Sequence, residues 1–205
     1  MMESNYEKTK EQTRLVFLQY DQAKMIENLH LDADEEYLYF DFIGRKCRVE
    51  RISGAVECEK DGAYHAGSIN EAMAVYDLLC WSDPAAVPSG NFVTLQTLSH
   101  LFSSSKPLAS SGFDDKRAKL LDHRDEELRA ALHRLGGEDT KGGDVAAEVE
   151  IFNGLKALFR FWDSDDEFAA QIQILWDENT LKYLHYETVW YASGVLLSRV
   201  IEEMN

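Results

Sequence analysis

Clustered positive charge is missing from this sequence. Lys and Arg number 21 against 37 Asp and Glu, a formal net charge of −16, and no run of bases stands out. Such a chain repels a phosphate backbone, so nucleic acid is excluded as a partner. Cysteine is scarce too. Cys47, Cys58 and Cys80 make an odd count with no CxxC spacing. All three are expected as reduced core thiols of a cytoplasmic protein, with Cys47 and Cys58 in strand-like segments. Long apolar runs are also lacking. None approaches the roughly 18–20 residues that cross a bilayer, and MMESNYEKTKEQTRL lacks the apolar region of a signal peptide. A membrane partner is not expected.

The motif inventory is equally thin. GGEDTKGGD holds glycines and a lysine but is not GxxxxGK[ST], so the phosphate cradle is absent. There is no GxGxxG after a strand, no GxSxG elbow and no HExxH. The six histidines are scattered. His123 and His133 lie ten residues apart on one expected helix, roughly 15 Å along its axis, too far to share a metal.

What is present is core-forming material. The 205 residues are 45 % hydrophobic and 11 % aromatic, which suits a folded chain and not a disordered one. Residues 4–27 read as one helix. YLYFDFIGRKCRVERISGAVECEK reads as a meander of two or three antiparallel strands. Asn70 is an N-cap candidate, and Ala72, Val75, Tyr76 and Leu79 recur at helical spacing up to Trp81. TLQTLSHLF suggests a short helix, and SSSKPLASSG a flexible loop. Asp114 caps the strongest helical pattern, whose stripe of Leu121, Leu128, Leu132 and Leu135 stops at Gly136-Gly137. LKALFRFW and QIQILW are strand-like, and Tyr186–Met204 reads as a buried helix. Strands and helices are grouped and do not alternate. The expected architecture is therefore α+β, a mostly antiparallel sheet with helices on one face. A single domain over residues 1–205 is expected, with no convincing boundary and the 103–112 loop only a weak candidate for one.

Acid is concentrated at the C-terminal end. From Asp144 onward there are 12 acids and 4 bases, a net of −8. Two apolar runs end in Trp-Asp, at Trp162-Asp163 and Trp176-Asp177. The eight residues linking the runs are too few for a parallel crossover, so the strands should form an antiparallel hairpin. The two Trp-Asp pairs then lie at opposite ends, roughly 15 Å apart, and cannot share a metal. Within the first group, Asp163, Asp166 and Glu167 are the metal candidates. The competing and preferred reading is a capping box, Ser164 with Glu167. Burial decides between them. A pair of carboxylates repels by about 1 kcal/mol in water, and by about 4 kcal/mol at an effective dielectric of 20. In the second group, Asp177, His185 and Glu187, walled by Tyr186 and Trp190, form a candidate ligand pocket. The imidazole there is a possible proton shuttle or metal ligand. Trp162, Trp176 and Trp190 are expected in the core.

The order LGG, a GGD loop, FWDSDDEF, then IQILWDENTLKYLHYET before a closing helix resembles an uncharacterised family. It is the domain of unknown function 3786 family of anaerobic bacteria and archaea. Trp162, Asp166, Glu167, Phe168, Ile174, Leu175, Asp177, Leu184 and Glu187 carry the resemblance, most specifically within residues 135–190. Ala169 departs from it, standing where a proline is expected. The resemblance implies that some relatives add a cysteine-rich iron–sulfur segment, which this chain lacks. It names no activity, no cofactor and no catalytic residue. The sequence supports a cytoplasmic accessory that binds a small molecule or a protein partner without catalysis. The alternative is a metal-dependent enzyme of the hydrolase class using one acidic group.

Overall fold

The computed structural model describes residues 5–100 and 115–205. Its architecture is α+β, and every strand pairing is antiparallel. The strands form two five-stranded sheets where the sequence suggested one. The chain divides into two compact units, each taken by itself below. SSSKPLASSG, the 103–112 boundary candidate and Asp114 lie outside the described residues.

The first unit takes residues 5–86 and 182–195. It opens with α1 (Asn5–Phe17) and α2 (Gln22–Leu29). The sequence suggested one helix here. Asp21 breaks it, because its carboxylate caps the amides of Ala23 and Lys24 and so starts a second helix. A sequential meander follows: β1 (Asp32–Ala33), β2 (Tyr37–Phe42), β3 (Arg45–Glu50), β4 (Val56–Lys60) and β5 (Ala63–Ala66). Leu38, Phe40, Phe42, Cys47, Val49, Val56 and Cys58 alternate along these strands and are buried. α3 (Ile69–Trp81) packs against α1, α2 and β4. Its N-cap is Ser68, one residue before the helix and two before the expected Asn70. Ser68 and Glu71 form a full capping box.

Cys47 and Cys58 are not reduced thiols. The β3–β4 register sets them directly opposite one another, with Cα atoms 4.1 Å apart, and a disulfide joins them. Two residues eleven apart meet this way only once the hairpin register is known. Cysteine usage therefore no longer supports the expected cytoplasmic location. Cys80 is free, and burial, helped by the charge of Asp77, pushes its thiol up to about 12. It stays protonated at neutral pH and is a poor nucleophile.

The second unit takes residues 87–100, 115–181 and 196–205. Its sheet runs β6 (Phe92–Val93), β10 (Gln171–Asp177), β9 (Leu155–Trp162), β8 (Val145–Phe152) and β7 (Glu138–Asp139). α4 (Leu95–His100) follows β6 in the chain. α5 (Asp115–Leu121) packs on β10, and α6 (Asp125–Arg134) packs on β8. The leucine stripe is buried as expected, with Leu121, Leu128 and Leu132 fully enclosed. The helix that carries it is nevertheless two helices. The chain breaks at Asp122-His123-Arg124, where His123 takes a left-handed φ of +55°. α7 (Tyr186–Glu203) closes the fold, with residues 186–195 in the first unit and 196–203 in the second. Among the described residues no helix is long and apolar enough to cross a membrane.

Candidate functional site

The β9–β10 hairpin has the expected direction, with Gln171 opposite Trp162 and Trp176 opposite Ala157. Asp163 thus lies just past one end and Asp177 at the other. Counted along β9, their separation is about seven residues, or roughly 24 Å, longer than the sequence estimate.

Asp177 has no acceptor capacity left for a ligand. Only 1 % of its surface is exposed. Oδ1 accepts from the amides of Ser89 (3.1 Å) and Asn179 (2.8 Å). Oδ2 accepts from the Ser89 hydroxyl (3.1 Å) and the Gly90 amide (2.8 Å). Four donors compensate a buried charge, so this carboxylate pins the 89–91 loop to the end of β10. His185 and its neighbours belong to the first unit. The carboxylate of Asp77, on α3, accepts from the His185 amide at 2.7 Å and lies 2.6 Å from Nδ1. The imidazole stacks on Trp81 with centroids 3.9 Å apart. His185 therefore leads into α7 as a clasp to α3. Glu187 is exposed, and Tyr186 and Trp190 are half-buried. Of the three tryptophans expected in the core, Trp176 is fully enclosed and Trp162 and Trp190 are half-buried.

The expected capping box at Ser164–Glu167 does not form. Residues 164–170 are not helical. Instead Asp165 makes a turn, its carboxylate accepting from the amides of Glu167 (2.8 Å) and Phe168 (2.7 Å). Those two amides hold the Asp165 carboxyl below the usual carboxylate range. Asp166 and Glu167, two of the metal candidates, are exposed and make no common site with Asp163. The hydroxyl that should have capped is engaged elsewhere: Ser164 donates its amide (2.8 Å) and its hydroxyl (2.7 Å) to Asp122.

That contact brings the third metal candidate to its real neighbours. Asp122, His123 and Asp163 each offer a ligand atom within 4.8 Å of the others, and they are the sole group of this kind among the described residues. Asp163 Oδ1 accepts the His123 amide at 2.6 Å, and Oδ2 lies 3.8 Å from Nδ1. Ser164 Oγ lies 3.4 Å from His123 Nε2. The Asp163 amide donates to Asp144 at 2.9 Å. The Ser164 donors, amide first, hold the Asp122 carboxyl below the usual carboxylate range. Asp125, at the start of α6, is pushed the other way, by burial and then by the charges of Asp163 and Asp144. Its Oδ1 is enclosed and meets no hydrogen-bond donor. Negative charge therefore accumulates here without full compensation.

Sequence reading missed Asp122 and His123 because it ran one helix straight through them. The signal was available. Asp125-Glu126-Glu127 is an acidic first turn, the mark of a helix start. His133, by contrast, is bound to Asp139 at 3.0 Å and lies apart from the site.

A model of the family described as "Domain of unknown function (DUF3786)" matches residues 21–199. The chain belongs to the DUF3786 family. No curated protein and no solved structure matches it. Of the positions that carry the family resemblance in this DUF3786 chain, Ile174, Leu175, Asp177 and Leu184 are buried, while Asp166, Glu167, Phe168 and Glu187 are exposed. Ile174 and Leu175 lie within β10, and Asp177 at its end holds the 89–91 loop. Asp122, His123 and Asp163 all fall within the matched span.

Proposed function

We propose that this chain is an accessory protein whose small ligand is a divalent cation, held by Asp122, His123 and Asp163. The observation that carries the reading is the convergence of three ligand atoms within 4.8 Å at the break between α5 and α6. Two features support it. His123 occupies a left-handed conformation, which costs a non-glycine residue about 1 kcal/mol and is tolerated where the surroundings fix it. The desolvated Asp125 carboxyl faces the charges of Asp163 and Asp144, a repulsion that a cation would relieve. A donor set of two carboxylates and one imidazole suits Mn²⁺ or Zn²⁺ better than Ca²⁺, which prefers an all-oxygen shell.

Thermal unfolding and calorimetric titration with Mg²⁺, Ca²⁺, Mn²⁺ and Zn²⁺ test this. At a hundred times Kd, a bound ion stabilises by about 2.7 kcal/mol, or roughly 5–10 °C for a chain of this size. The expected result is a shift of that order with Mn²⁺ or Zn²⁺, abolished in D163N and in H123A. Saturation absent for all four ions, or unchanged in both variants, would discard the reading.

A metal-dependent hydrolase is the second reading, favoured by one observation: the Ser164 hydroxyl lies between Asp122 and His123. Turnover of a p-nitrophenyl ester or phosphate that needs both the cation and Ser164 would select it. Cation binding with no such turnover selects the accessory role.

A further inference from the structure

We propose that Arg160 is an oxyanion-binding residue, its guanidinium bedded on the Lys141-Gly142-Gly143 turn and open to a phosphoryl or carboxylate group. Arg160 projects from β9 between Ala146 of β8 and Gln173 of β10, its partners in register. Neither is acidic. The nearest acids on β8 and before it are engaged elsewhere: Glu148 with Lys156 Nζ at 3.5 Å, and Asp144 with the Asp163 amide. Arg160 Nε is sealed from solvent and meets no acceptor. Other arginines of the chain are differently placed. Arg14, Arg48, Arg129 and Arg134 each pair with a carboxylate, as expected where acids outnumber bases 37 to 21.

Stem packing alone would let the head reach water, and a surface arginine has no need to enclose Nε. The turn beneath explains the enclosure. Gly142 has φ +124°, and a Cβ on it would lie 2.8 Å from Arg160 Nε and 3.1 Å from Cζ. The guanidinium packs against Gly142, where no side chain stands. With Nε covered, the two terminal nitrogens remain as a planar fork, the geometry that takes an oxyanion through two parallel hydrogen bonds. Lys141, exposed and adjacent to Gly142 in the chain, carries a second positive charge on the same loop. The Gln173 amide stands across the strand. The ligand is small, because the net charge of −16 repels a polyanion. Weak affinity, on the order of millimolar, is expected for two cationic groups in such a field.

The experiment uses the full chain in EDTA, so the cation site plays no part and its failure would be separate. Inorganic phosphate and succinate are titrated against a chloride control of equal ionic strength. Binding is read by calorimetry and by the Arg160 Nε–H resonance in ¹⁵N spectra. Saturable binding that moves this resonance is expected, weakened at least tenfold in R160Q and partly retained in R160K. A response to phosphate alone identifies a phosphoryl ligand, to succinate alone a carboxylate, to both a general oxyanion site. No saturable response to either anion, or an unmoved Arg160 resonance during binding, overturns the proposal. The resonance belongs to the wild-type chain, so it decides the matter even if R160Q fails to fold.

Discussion

Ser164 shows how one hydroxyl can settle a local structure. Its amide and side chain both go to Asp122, and the helix turn that S-x-x-E suggested there is replaced by an Asp165 turn. The contact has a pH signature. The Asp122 carboxyl is held low in the folded state, so its contribution is present above the usual carboxylate pKa. It is lost as pH falls through the lower folded value. Ser164→Ala removes the hydroxyl donor and part of that depression. Melting temperatures of the two proteins should therefore differ most near neutral pH and converge as the solution is acidified below about 4. A difference that persists or grows in acid would show that Ser164 acts through packing.

Whole elements were legible where short-range patterns are not contested. The final helix, the hairpin of β9 and β10 and the helix over 69–81 follow from periodicity and turn grammar, and the structure has all three. Readings failed where a tertiary partner competed for the same group. The same S-x-x-E pattern caps α3 at Ser68 and fails at Ser164, where Asp122 takes the donors. β8 was overlooked because VAAEVEIF is nearly continuous in apolar residues, as a central strand buried on both faces should be. Its signal was the following Asn153-Gly154, both at positive φ, the strongest two-residue hairpin turn. The candidate site was half legible. Asp163 was named, but Asp122 and His123 sit at a helix break made visible only by the acid triplet after it. Turn geometry gives a test at this scale. Gly136 and Gly143 both have positive φ, but a Cβ at Gly136 meets nothing within 4 Å, while one at Gly143 would lie 2.3 Å from the Phe161 carbonyl oxygen. G136A should cost about 1 kcal/mol, the left-handed penalty alone. G143A should cost about 3 kcal/mol or more, because backbone must move. Urea unfolding midpoints measure both, and equal losses would show that the turn yields freely.

At the scale of the molecule, the dominant quantity is a net charge of −16. Self-repulsion of that size opposes the compact state, and dissolved ions screen it. At an ionic strength near 0.15 M the screening length is about 8 Å, so sodium chloride alone should raise the melting temperature. That general effect must be separated from the specific one proposed for Asp122, His123 and Asp163. Screening depends on ionic strength and little on which ion supplies it, and it saturates only over hundreds of millimolar. A site with micromolar affinity saturates at concentrations that leave the ionic strength unchanged. Micromolar Mn²⁺ added to a chain already in about 0.15 M sodium chloride should therefore give a further, saturating rise in melting temperature. D163N should keep the sodium chloride response, because one charge in 37 acids alters the field little, and should lose the Mn²⁺ response. If D163N lost both in proportion, the acidic surface would be acting as a diffuse ion atmosphere, and the break between α5 and α6 would hold no site of its own.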